Sequence, residues 1–148
     1  MGLMNSERLK PFETTLQKAD LWMKDVMEEL GPDDPQMAYR SLRAVLHALR
    51  DRLMPGEVTD MSAQMPMLIR GLFLEGWKAT QQPSGGDTQE EFLAAVNSEL
   101  QVPADVGPED STRAIFRVLE KRISCGEIAD IRGMLPQNLQ GLWTEACG

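Results

Sequence analysis

Apolar residues recur at helical spacing along nearly the whole chain. Leu42, Val45, Leu46, Leu49 and Leu53 fall at i, i+3, i+4, i+7 and i+11, and Thr112, Ile115, Phe116, Leu119 and Ile123 repeat that stripe seventy residues later. Upstream, Trp22, Val26 and Leu30 match Phe92, Val96 and Leu100 at the same offset, so each half opens with an amphipathic helix anchored by an aromatic residue. No stretch of strand alternation competes. Asp34-Pro35 reads as a cap followed by a first-turn proline. Thr88 to Glu91 and Ser124 to Glu127 read as capping boxes, in which hydroxyl and carboxylate satisfy open amide groups. A short third helix is predicted near Gly56-Glu57 and Gly126-Glu127, and a fourth at Pro66 and Pro136, giving four helices per half.

The second half repeats the first in detail. Residues 43–77 align without a gap on 113–147, and eleven of these thirty-five pairs are identical, among them Arg43/Arg113, Arg52/Arg122, Glu57/Glu127, Asp60/Asp130, Gly71/Gly141 and Glu75/Glu145. A unit of about 60 residues buries only about 60% of its unfolded surface, so each half alone would be marginal and a shared core is expected. The expectation is one domain over 1–148, with repeat 1 at about 12–79, a linker at 80–87 rich in Gly and Pro, and repeat 2 at about 88–147. Residues 1–19 have no twin; Asn5 or Ser6 could cap a turn, and Pro11 suits a helix start.

Composition narrows the class. At 42% apolar and 26% charged the chain is globular, and its net charge of −8 repels phosphate backbones and anionic lipid. Neither nucleic acid nor membrane is an expected partner. No run approaches the ~18 apolar residues of a membrane span and the start lacks a signal-peptide pattern, so a cytoplasmic protein is expected. Cys125 and Cys147 occupy unrelated places in the two copies and read as free thiols.

Catalytic groups are scarce. His47 is the only histidine, and its twin is Arg117, a swap that suggests a tolerant, solvent-facing position. The adjacent carboxylates Asp33-Asp34, Glu28-Glu29 and Glu90-Glu91 diverge rather than converge. Pro83-Ser-Gly-Gly-Asp87 lacks the lysine and preceding strand of a phosphate loop. The repeated charges Arg43, Arg52, Glu57, Asp60 and Glu75, with Arg113, Arg122, Glu127, Asp130 and Glu145, read as structural. Arg52 ends one helix and Glu57 and Asp60 begin the next, where they can pair across the corner, while Arg43 and Glu75 can tie two helices together. Gly71 and Gly141, inside the fourth helices, suggest close helix approach.

Nine of ten methionines lie between residues 1 and 67. Flexible thioethers suit adaptable apolar surfaces, so Met54, Met61, Met65 and Met67 are the candidate exposed patch, with Phe73 and Trp77 beside them as a possible apolar ligand site.

The strings Leu42-Arg-Ala-Val-Leu-His-Ala-Leu-Arg-Asp-Arg-Leu53, Gln64-Met-Pro-Met-Leu-Ile-Arg-Gly-Leu-Phe-Leu-Glu-Gly-Trp77, Glu91-Phe-Leu93 and Gly126-Glu-Ile128 closely resemble the bacterial family known as domain of unknown function 2267. The resemblance implies a small all-helical cytoplasmic protein of tandem four-helix units and carries over no catalytic or ligand residues.

The sequence thus leads to an all-α protein: two tandem pseudo-symmetric four-helix repeats packed as an orthogonal helical bundle around a shared core. The expected role is a non-catalytic interaction or regulatory module that takes no cofactor or metal, whose partner is another protein or a second copy. A helical binder of apolar small molecules is the alternative.

Overall fold

The computed structural model describes residues 9–100 and 106–144. Asn5, Ser6, Asp105, Glu145 and Cys147 lie outside them. Among the described residues the protein is all-helical: α1 (Lys10–Leu30), α2 (Pro35–Arg50), α3 (Pro55–Ala63), α4 (Met67–Leu74), α5 (Gln89–Leu100), α6 (Pro108–Arg122), α7 (Cys125–Met134) and α8 (Gln137–Gln140).

Local chemistry sets these boundaries. Asp34 Oδ1 accepts the amides of Gln36 and Met37 at 3.0 and 3.2 Å, and Pro35 opens α2. Gly31 closes α1 at φ 106°, with its amide on Met27 O at 3.0 Å. Thr88 and Glu91 form a reciprocal capping box: Thr88 Oγ1 accepts the Glu91 amide at 3.1 Å and Glu91 Oε1 accepts the Thr88 amide at 3.3 Å. Pro66 and Pro136 sit just before α4 and α8, each as the flanking cap rather than the first helical residue. Helix α1 starts at Lys10, well before its first matched residue, Trp22, and its opening turns leave Leu9, Phe12 and Leu16 exposed.

Buried side chains from both halves form one hydrophobic cluster, running from Trp22 and Val26 through Leu42, Leu46 and Phe73 to Phe92, Phe116 and Trp143. The halves interleave: α1 packs on α6, α2 on α5 and α6, and α3 on α7. Phe116 stacks on Trp143 with ring centres 3.8 Å apart and meets Phe92 at 6.0 Å. Ser41 and Ser111, buried where α2 meets α6, share a hydrogen bond at 3.3 Å.

The linker is tied down rather than loose. Arg52 is buried at the end of α2 and donates to Ala48 O, Gly85 O and Gly86 O at 2.8, 2.6 and 3.2 Å, while the Ser84 amide reaches Asp51 O at 2.7 Å. Gly85 and Gly86 hold φ of 101° and 91°, and a Cβ at Gly85 would stand 2.9 Å from the Arg52 guanidinium.

The expectation for Gly71 is corrected. Nothing lies within 4 Å of a Cβ placed there, so no helix approaches closely enough to require glycine. Gly71→Ala is expected to raise stability by about 0.5–1 kcal/mol, read as a higher urea midpoint, because alanine restricts the unfolded chain and favours the helix. An unchanged or lower midpoint would contradict this.

Candidate functional site

The repeated charges occupy three distinct surroundings. Arg43 on α2 pairs with Glu75 after α4 (Nη2–Oε1 3.1 Å) and lies 3.6 Å from Glu99 of α5, so it ties three elements together. Arg113 turns instead to Glu109 one helical turn away, at 3.1 Å, and to Gly141 O. These pairs are half-exposed and contribute little to stability individually.

Arg52 and Arg122 do not cross their corners to Glu57, Asp60, Glu127 or Asp130. Arg52 is taken by linker carbonyls and lies with its guanidinium 5.0 Å over the Phe92 ring. Burial pulls its pKa below the usual arginine value, against the charges of Asp51, Glu91 and Asp87. Arg122 joins Lys121 in gripping Asp25 of α1, with Nε–Oδ2 at 2.6 Å and Nζ–Oδ1 at 3.1 Å. Burial alone would raise the Asp25 carboxyl, but the hydrogen bonds and charges of Arg122 and Lys121 prevail and hold it below the ordinary value. Asp25 therefore contributes stability that is present above its unfolded pKa and lost as pH falls through the depressed folded one. Asp25→Asn is expected to cost about 2 kcal/mol near neutrality and less at acid pH, measured by urea unfolding. A loss that is independent of pH would argue against the ion pairs.

His47 is also a correction: it is buried, not solvent-facing. Its Nδ1 lies 3.3 Å from Glu99 and its Nε2 2.8 Å from Leu72 O, so both ring nitrogens are engaged. Its twin Arg117 binds Glu29 at 2.6 Å. Glu29 and Glu99 are themselves seventy apart, so both members of the pair His47/Arg117 hold equivalent carboxylates. That signal was present in the sequence once the partners were aligned. Arg43 and His47 both reach Glu99, and Glu75 joins them through Arg43, but Asp60 stands elsewhere, on α3.

With their arginines engaged elsewhere, the carboxylates of α3 and α7 face one another. Oxygens of Glu57, Glu127 and Asp130 all lie within 4.8 Å of one another, and Asp60 lines the same shallow depression with Ala63, Gln64 and Ser124. Glu127 is not a capping-box carboxylate. Ser124 Oγ does accept the Glu127 amide at 3.3 Å, but the Ser124 amide is taken by Gln64 Oε1 at 2.8 Å, which leaves the Glu127 side chain to turn inward. At the start of α3 the Met54 amide points to Met134 Sδ at 3.3 Å in the same manner. Burial, then the hydrogen bond with Glu57, then the charges of Glu57, Asp60 and Asp130 push the Glu127 carboxyl up to about 8.

The methionine group divides. Met61, Met65 and Phe73 are core residues and Trp77 is half-buried, whereas Met54 and Met67 are exposed at 47% and 55%. A thioether suits either place, and sequence alone does not separate them. Met65 and Met67 border a cleft of about 840 Å³ between α1 and the α3–α4 corner. Leu21, Trp22, Pro66 and Met67 supply apolar lining, and Lys10, Lys18, Arg70 and Arg122 supply the charge. Arg122 is committed to Asp25 and Arg70 donates to Ser62 O and Met65 O, yet among the described residues no carboxylate lines the cleft.

The family model for an uncharacterised conserved protein, DUF2267, matches residues 19–142. The chain belongs to the DUF2267 family. That match covers every helix except the first turns of α1, so the carboxylate depression lies wholly inside the DUF2267 region, while the cleft reaches beyond it at Lys10, Pro11, Thr14, Thr15 and Lys18. No curated protein is similar to this DUF2267 chain. No described helix is long and apolar enough to cross a membrane. Cys125 is not a free thiol; it is disulfide-bonded at the start of α7.

Proposed function

We propose that this DUF2267 protein is a non-catalytic interaction module whose docking surface is the cleft between α1 and the α3–α4 corner. The carrying observation is the contrast between an acidic chain, at −8, and a cleft whose described lining holds Lys10, Lys18, Arg70 and the Asp25-paired Arg122 but no carboxylate, beside Leu21, Pro66 and Met67. Such a surface fits an acidic amphipathic segment of another protein, with apolar contact supplying affinity and Lys10 and Lys18 supplying orientation. Against catalysis stand the engagement of both His47 nitrogens and the separation of Asp60 from Arg43 and Glu75. Against an apolar ligand amid Met61, Phe73 and Trp77 stands the close packing of Met61 and Phe73 in the core.

The halves are read as two copies about an approximate two-fold axis in an orthogonal bundle. Ser41 with Ser111 and Glu57 with Glu127 support this, since each residue meets its own twin; the crossed contacts Met54–Met134 with Ser124–Gln64, and His47–Glu99 with Arg117–Glu29, support it further.

A photo-crosslinking side chain at position 67, used in lysate of the native host, should capture one protein. Lys18→Glu with Arg70→Glu should reduce that capture at least tenfold, whereas charge reversal at the remote Asp110 should not. Equal capture by both variants, or no product above background, would reject the cleft as a docking surface.

A further inference from the structure

We propose that Glu57, Glu127 and Asp130 bind a divalent cation, with Asp60 beside them, bridging α3 and α7. Three observations combine. The carboxylate oxygens converge within 4.8 Å of one another, close enough for one divalent cation to reach all three; calcium, which tolerates irregular oxygen shells, suits such a set better than magnesium, which demands a near-ideal octahedron. Glu127 is only 7% exposed and faces into the cluster; among the described residues no amide, hydroxyl or basic side chain donates to its carboxylate. Glu57 Oε1 is sealed from solvent, and among the described residues no amide, hydroxyl or basic side chain donates to it, so its hydrogen bond with Glu127 needs a proton shared between the two carboxyls. A buried carboxylate without a donor is costly, and a cluster of several is costlier, unless a cation joins them.

The surroundings fit the same ligand. The depression is lined by Asp60, Ala63, Gln64, Ser124, Glu127 and Asp130, with no basic residue among the described ones to neutralise the carboxylates. Its open side leaves coordination positions for water, which calcium uses readily. An all-oxygen set excludes the soft metals that prefer thiolate or imidazole. A shared proton between Glu57 and Glu127 is the competing occupant. It neutralises one charge and leaves the remaining carboxylate of the pair beside the exposed, hydrated Asp60 and Asp130, whose repulsion only a cation offsets.

The test uses the full chain, stripped with chelator and titrated calorimetrically with calcium chloride at pH 7.5, with manganese and magnesium chlorides in parallel. Expected are saturable binding of one calcium per chain, with magnesium at least tenfold weaker, and a rise in melting temperature. Glu127→Gln and, separately, the exposed Asp130→Asn should each weaken calcium at least tenfold while far-UV circular dichroism stays native. Absence of binding by all three cations up to about 1 mM, the weak end of natural calcium sites, would assign the cluster to a shared proton only. Binding that both variants leave unchanged would place the cation elsewhere. Either result overturns the proposal.

Discussion

Phe116→Ala is expected to lower the free energy of unfolding by about 3–5 kcal/mol, through lost burial and the cavity left behind. Phe116 is 1% exposed on α6, stacked on Trp143 at 3.8 Å and tilted against Phe92 at 6.0 Å, so its removal strips contacts from α5 and from the segment after α8. The buried cluster contains residues of both halves, and the loss should therefore appear as a shift of one unfolding transition, followed in urea by circular dichroism and by tryptophan fluorescence. Trp22 lies in the first half and Trp143 in the second. Two separable transitions, with the first half unaffected, would refute the single core. As a control, Leu68→Ala at a 47% exposed position should change stability by no more than about 0.5 kcal/mol.

Glu127 gives the second large effect. In chelator its folded pKa, raised to about 8, exceeds the ordinary value of 4.5, so between those limits the folded state binds a proton that the unfolded state has released. Stability then falls as pH rises from about 4.5 to about 8 and levels off above it. The whole shift corresponds to about 5 kcal/mol, and water entering the open depression brings the expected loss to roughly 2. Glu127→Gln should flatten this slope and be the more stable protein at pH 8, as measured by urea midpoints across the range. A wild-type slope that persists in the variant would show that other groups carry it. Calcium should abolish the slope from the other side, by supplying the charge that the proton otherwise provides.

Much of the helix plan was legible because its causes are local. Asp34-Pro35, Thr88 with Glu91, and the prolines at 66 and 136 act within one turn, so the residues that make each boundary are neighbours in the chain. The apolar stripes predicted the buried faces of α2 and α6 for the same reason. Side-chain destinations were less legible. Ser124-Cys-Gly-Glu127 has the capping-box pattern, but Gln64, sixty residues away, takes the Ser124 amide and releases Glu127. Arg52 could reach either the next helix or the linker, and Gly85 and Gly86 decide it by presenting two carbonyls at positive φ. Burial of His47 was hidden by its pairing with Arg117, since a polar twin suggests solvent until the matching carboxylates Glu99 and Glu29 are placed.

By itself the sequence determined the all-helical character, the order and starts of most helices, the doubled pattern at a spacing of seventy and the apolar faces that must be covered. Each follows from periodicity and from caps that act over a few residues. Only the tertiary structure decided which charges meet. Helix α3 lies on α7, so Glu57 and Asp130, seventy-three residues apart, share a depression with Glu127; α1 lies on α6 and beside α4, so Lys10 and Lys18 face Met67 and Arg70 across a cleft. Apolar burial fixes those packings, and carboxylates carried on the packed helices are brought together even where their own electrostatics oppose it.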